Sequence, residues 1–159
     1  MIRNILVSVS GTPASLITAK YAICVAKLLG AKLTCVYVVN QKVLQELLKS
    51  RIFVEIEARV YERDLEDQGN NFLERIKKLA ESKSVGYQGL LLKGAVHTEV
   101  VNKARELPAD LLVMGELKEL LSRKEIFYDD GERIFREAPC PVLVVKDPSA
   151  VEELYKEIA

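Results

Sequence analysis

Between residues 33 and 39 the chain reads Leu-Thr-Cys-Val-Tyr-Val-Val, a near-continuous apolar run. A strand that is apolar on both faces must be covered on both faces, which is the condition of a parallel sheet flanked by helices. The run at 5–9, with Ile5, Leu6, Val7 and Val9, is of the same kind and too short for a helix of its own. Ser10-Gly11-Thr12-Pro13 then punctuates the chain. Thr12 has the chemistry of an N-cap and Pro13 that of a first helical residue. Leu16, Ala19, Ala22, Ile23, Ala26 and Leu29 recur at helical spacing, while Lys20 and Lys27 point away. Gly30 follows as a helix-closing glycine.

The remainder alternates in the same way. A short helix is expected over 41–49, with Val43, Leu44, Leu47 and Leu48 on one side. A longer helical region follows, clearest at Phe72, Leu73, Ile76, Leu79 and Ala80, with Gly69-Asn70-Asn71 as a candidate break. Strands are expected at 89–92, 110–114 and 142–145, and helices at 96–107, 129–137 and 149–158, the last N-capped by Ser149. The segment 116–127 reads as a charged loop or irregular helix. Strands alternating with helices imply a parallel sheet built from right-handed crossovers. The chain is divided as an α/β domain over 1–146 and a helical extension over 147–159.

Composition narrows the function. The 159 residues suit one domain, and 49% hydrophobic content supports a core without disulfides or metal. Lys+Arg is 23 and Asp+Glu is 23, so no basic footprint for nucleic acid is present. Cys24, Cys35 and Cys140 stand scattered in apolar surroundings, as reduced thiols of a cytoplasmic protein do. No apolar run approaches the ~18–20 residues of a membrane span, and no signal peptide is expected, because charged Arg3 leads directly into a strand-like run.

In an open parallel sheet, ligands bind beyond the carboxyl ends of strands where the strand order switches. The loops from Ser10 and from Gly115 are the natural candidates. Three runs here carry a resemblance: 5–11 (Ile-Leu-Val-Ser-Val-Ser-Gly), 109–115 (Ala-Asp-Leu-Leu-Val-Met-Gly) and 138–145 (Ala-Pro-Cys-Pro-Val-Leu-Val-Val). Together they resemble the universal stress protein family over nearly the whole chain. The resemblance implies a single open five-stranded parallel sheet of Rossmann-like type, sandwiched by helices. It also implies a homodimer formed through the last strand, Val142, Leu143, Val144 and Val145. An apolar edge strand would otherwise invite aggregation, so that pairing makes physical sense.

Many members of that family carry a phosphate-wrapping loop of Gly, two residues, Gly, nine residues, Gly, then Ser or Thr. Glycines let the backbone approach the ligand, and backbone N–H groups form the cradle. Here Gly115 holds the first position, Lys118 the second, and Tyr128-Asp129 the last pair. The spacing to Pro139 is kept, so the glycines were replaced, not shifted. The acidic residue that such members carry after the first strand is Ser10. Around such a nucleotide pocket the resemblance places Ser10, Gly11, Val38, Met114, Gly115, Lys118, Tyr128 and Asp129. Tyr128 puts a ring where backbone touched phosphate, and Asp129 and Asp130 put carboxylates where a polyanion would lie. Asp129 also fits an N-cap with Glu132 at N3. Lys118, Arg123 and Lys124 attract phosphate, but Glu116, Glu119 and Glu125 stand among them.

His97, the single histidine, cannot form a metal site alone. Cys140 lies between Pro139 and Pro141 and reads as structural. No catalytic constellation is visible. The leading expectation is a non-enzymatic, homodimeric stress-response protein acting on a protein partner, without a cofactor. The alternative is an ATP/ADP switch with Mg, or a slow ATPase, using Gly11, Met114 and Gly115. An unrelated enzyme on a Rossmann-like sheet ranks last, because only Gly11 follows the first strand and no Gly-x-Gly-x-x-Gly is present.

Overall fold

The strand β1 (Asn4–Val9) is the centre on which both halves of the chain build. Its Ile5, Leu6 and Val7 are fully buried. The computed structural model describes residues 1–115 and 125–159, with the backbone alone over 125–129. After β1 come α1 (Pro13–Leu29), β2 (Lys32–Asn40), α2 (Gln41–Lys49), α3 (Glu55–Ser82) and β3 (Tyr87–Gly94). Then follow α4 (Val96–Glu106), β4 (Leu111–Met114), α5 (Glu125–Glu137), β5 (Val142–Val144) and α6 (Pro148–Glu157). The sheet order is β3-β2-β1-β4-β5, and each neighbouring pair is parallel. The chain therefore moves outward from β1 to β3, then returns to lay β4 on the other side of β1. This is the expected five-stranded parallel α/β architecture.

Side-chain alternation along the strands feeds two cores. Ile5, Val7 and Val9 pack with Ile23 of α1, Ile76 of α3 and Val151 of α6. Leu6, Val36 and Leu112 pack on the opposite face with Val100 of α4 and Ile134 of α5. Burying a side chain of this size contributes about 1.5–3 kcal/mol, so the two layers supply the main favourable term. Asp110 fixes the entrance of β4 against β1. Its carboxylate accepts the N–H groups of Arg3 and Asn4, each at 2.9 Å. Those two donors hold its pKa below the ordinary carboxylate value.

Local signals account for α1. Thr12 caps it by accepting the Ser15 N–H at 3.1 Å, Pro13 opens it, and Gly30 closes it at φ 64°. Three expectations are corrected. Gly69-Asn70-Asn71 does not break α3, which runs unbroken through all three. Gly69 is a close-approach site: a Cβ there would lie 2.6 Å from Leu91 Cδ1 and 2.8 Å from the Tyr37 ring. The terminal helix is capped by Asp147, whose side chain accepts the Ala150 N–H at 3.3 Å, not by Ser149. Asp129 is no N-cap, because α5 begins at Glu125, and Glu132 pairs with Arg136 one turn on. The charged segment 116–124 lies outside the described residues.

The extension over 147–159 is laid across α1. Lys20 pairs with Glu152 at 2.8 Å, and the Tyr155 hydroxyl donates to the Leu79 carbonyl at 3.1 Å. Lys83 stands 4.5 Å from the Tyr155 ring centre, and Val151 is buried.

Candidate functional site

The strand order switches between β1 and β4, and there the geometry leaves a crevice. The register pairs Ile5 with Leu111 and Val7 with Val113, so β1 overhangs the end of β4 by its last residue, Val9. A cavity of about 340 Å³ opens beneath this overhang. Such a volume is at the small end of ligand pockets. Its walls are apolar: Val9 from β1, Ile17 from α1, Met114 from β4, Ile134 from α5 and Val145 after β5.

Most of the hydroxyls in the lining already have partners. Thr12 caps α1, the Ser15 hydroxyl donates to the Thr12 carbonyl at 2.9 Å, and the Thr18 hydroxyl donates to the Ala14 carbonyl at 3.1 Å. Ser10 Oγ and Thr12 Oγ1 are 3.4 Å apart. Among the described residues no carboxylate lines the cavity, and the one charged lining group is Lys146. Its side chain is exposed and makes no ion pair among the described residues. Ala14 and Ser15 bring the first turn of α1 to the cavity, and a helix N-terminus favours negative charge.

A second hollow of about 430 Å³ lies on the other side of the Ser10–Thr12 turn, toward α3. Tyr37 and Phe72 form part of it, with ring centres 6.3 Å apart, and Gln68, Asn71 and Arg75 supply polar groups. Gly11 is required here. Its φ is 86°, and a Cβ would sit 3.3 Å from the Tyr37 ring. Burial raises the Tyr37 phenol above its ordinary pKa, so it stays a neutral hydroxyl.

Of the residues singled out from sequence, Ser10, Met114 and Gly115 meet in the first cavity. Gly11 lies in the second hollow. Val38 does neither. It packs with Leu6 and Val36 in the core on the α4 and α5 side, so its expected place at the pocket is corrected. Lys118 lies outside the described residues. The backbone of Tyr128 and Asp129 belongs to α5, and their side chains lie outside the described residues. Val142, Leu143 and Val144 form β5 at the sheet edge, and Val145, just beyond, is buried with its N–H on the Met114 carbonyl at 2.9 Å.

Sequence reasoning missed Ile134, Val145 and Lys146. The rule that places sites at strand carboxyl ends pointed to the last strand as well, and would have drawn attention to Lys146. Ile134 arrives only through helix packing and left no signal. His97 is engaged with Asp130 across α4 and α5 at 3.5 Å, which also turns Asp130 toward a partner. Cys24 and Cys35 are fully buried, and burial pushes the Cys35 thiol up to about 12. Among the described residues no His, Cys, Asp and Glu cluster has the makings of a metal site, and no helix is long and apolar enough to cross a membrane.

The model of the universal stress protein family matches residues 1–146. The universal stress protein MJ0531 of Methanocaldococcus jannaschii is 31% identical over 146 residues, covering 92% of this chain and 83% of that protein. A solved universal stress protein family structure from Burkholderia pseudomallei superposes with a TM-score of 0.72 at 23% identity, covering 92% of this chain and 97% of its own. A universal stress protein solved in complex with cAMP superposes with a TM-score of 0.64 at 20% identity, covering 91% of this chain and 96% of its own.

Proposed function

The chain belongs to the universal stress protein family, and from that premise we propose that it is a non-enzymatic stress-response regulator, homodimeric and cytoplasmic, that does not hold ATP in the family's usual manner. The observation that carries this reading is the start of α5 at Glu125. The two positions where a phosphate loop needs glycine and a small hydroxyl residue are Tyr128 and Asp129, and both fall inside that helix. In a helix the N–H of the fifth residue bonds the carbonyl of the first, so the Asp129 N–H belongs to the helix ladder rather than to an open cradle. Only Gly115 of the loop's glycine positions is kept.

Homodimerisation is supported by the edge position of β5. The Pro141 carbonyl and the Val145 N–H are bonded to β4, so the intervening even-numbered residues, Val142 and Val144, direct their backbone groups to the open side. A second copy pairing there would satisfy them. The regulator then acts through a protein partner.

A second reading is an ATP/ADP switch with Mg, or a slow ATPase, at the same crevice. The cAMP complex of a structural neighbour favours it, and Ser10, Gly11, Met114 and Gly115 would supply the contacts.

One experiment separates the two. Nucleotide released on denaturing the purified protein is measured by chromatography, beside a variant carrying Lys118→Gly, Tyr128→Gly and Asp129→Ser. The proposal predicts no nucleotide from the native sequence and ATP from the restored loop. Stoichiometric ATP or ADP released from the native sequence would sink it.

A further inference from the structure

The cavity at the switch point stands open among the described residues. Among the described residues its walls are mainly hydrocarbon, and its one charged lining group is an ammonium. We infer that this cavity binds a small organic carboxylate with a hydrocarbon body, its head at Lys146 and its tail toward Met114 and Ile134. The inference rests on the reading that ATP does not occupy the site.

Three features of the cavity define the ligand class. Its size of about 340 Å³ is too small for a long lipid chain and fits a body of several methylenes. The lining hydroxyls of Thr12, Ser15 and Thr18 are engaged within α1, so they offer little to a sugar or another polyhydroxyl ligand. Among the described residues no lining carboxylate opposes an anion. Lys146 at the rim has no ion partner among the described residues, and the first turn of α1 adds its positive end. A single negative head is thus matched and an ammonium head is not. Apolar burial supplies affinity through the tail, and the head fixes its direction.

A nucleotide polyanion would bring several charges to the one lining lysine among the described residues. Asp130 is held toward His97, and Asp147 caps α6, so neither carboxylate is turned to the cavity to receive a cation. The remaining charged neighbours on α1 do not change the balance. Lys20 is paired with Glu152 on α6.

The test is calorimetric titration of the full chain with octanoate, octanol and octylammonium, repeated with Lys146→Gln and with Ala14→Phe, which narrows the cavity from α1. Lys146 is exposed, so its replacement leaves the fold intact, and circular dichroism checks both variants. Expected is 1:1 octanoate binding, weakened about tenfold by Lys146→Gln, the usual scale for losing one charge-assisted contact. Octanol binding should not change in that variant, octylammonium should not bind, and Ala14→Phe should weaken octanoate and octanol alike. Octanoate binding that ignores both substitutions overturns the inference, as does its absence. If octanoate fails while Mg-ATP also gives no heat, this inference alone falls. If Mg-ATP binds and displaces octanoate, the reading beneath it falls too.

Discussion

A methyl group at Gly69 would come within 2.6 Å of Leu91 Cδ1 and within 2.9 Å of two carbons of the Tyr37 ring. That ring is held between Phe72 and Gly11, so it has little room to yield. Overpacking costs about 1–3 kcal/mol, while replacing a helical glycine by alanine gains about 1 kcal/mol. Gly69→Ala should therefore lower stability by about 1 kcal/mol in urea unfolding, although alanine is the better helix former. A gain in stability would show that Tyr37 and Leu91 move aside. From sequence, Gly69 looked like a helix break because a glycine needed for close approach and one that ends a helix are written alike. Thr12 and Gly30 were legible because caps depend on neighbours in the chain, whereas Gly69 depends on a strand that comes later. Asp110 gives a prediction in pH. Its folded pKa is depressed by the Asn4 and Arg3 N–H groups. A carboxyl of this kind stabilises the fold above its unfolded value of about 4, and the contribution fades as pH falls through the folded value. Asp110→Asn should lower the urea midpoint at pH 7, and the gap between the two proteins should close as pH falls below about 4. A gap independent of pH would assign the loss to packing instead.

At the scale of elements, the same signature was read once and missed once. Thr12-Pro13 announces α1, and Asp147-Pro148 announces α6 by the same rule, whereas Ser149, one residue inside the helix, only resembles a cap. Asp147 stands at φ 59°, a conformation costly for a side chain, and it is held there by its bond to the Ala150 N–H. Replacing it separates the two effects. Asp147→Ala should lose about 1 kcal/mol or more in urea unfolding, because the cap goes and the strain stays. Asp147→Gly should be near neutral, because the strain goes with the cap. Equal losses from both would mean that backbone strain plays no part. The α2 and α3 region was the least legible stretch for a physical reason. The first turns of α3 leave Ile56 and Val60 in solvent, 73% and 57% exposed, so apolar residues there do not mark a buried face. The helix at 129–137 was expected to start four residues later than it does, since Asp129 resembles a cap but sits inside α5.

For the whole molecule, the sheet was legible because runs such as 5–9 and 33–39 are apolar on both faces, which only a covered parallel sheet tolerates. The place of the crevice followed from strand ends, and Ser10, Met114 and Gly115 are there. Its chemistry was less legible, because Ile134, Val145 and Lys146 are joined to it by tertiary packing. The open edge of β5 leads to a prediction about assembly. Val144→Pro removes an outward N–H and leaves the bonds to β4 in place. Sedimentation should show a dimer for the native protein and a monomer for this variant; a variant that remains dimeric would move the interface away from β5. The central claim is that this family framework no longer takes ATP at its switch point. Isothermal titration of nucleotide-free protein with Mg-ATP tests it most directly. The account predicts no binding heat. Saturable 1:1 binding at micromolar ATP would mean that a phosphate cradle exists despite Lys118, Tyr128 and Asp129, and would contradict it.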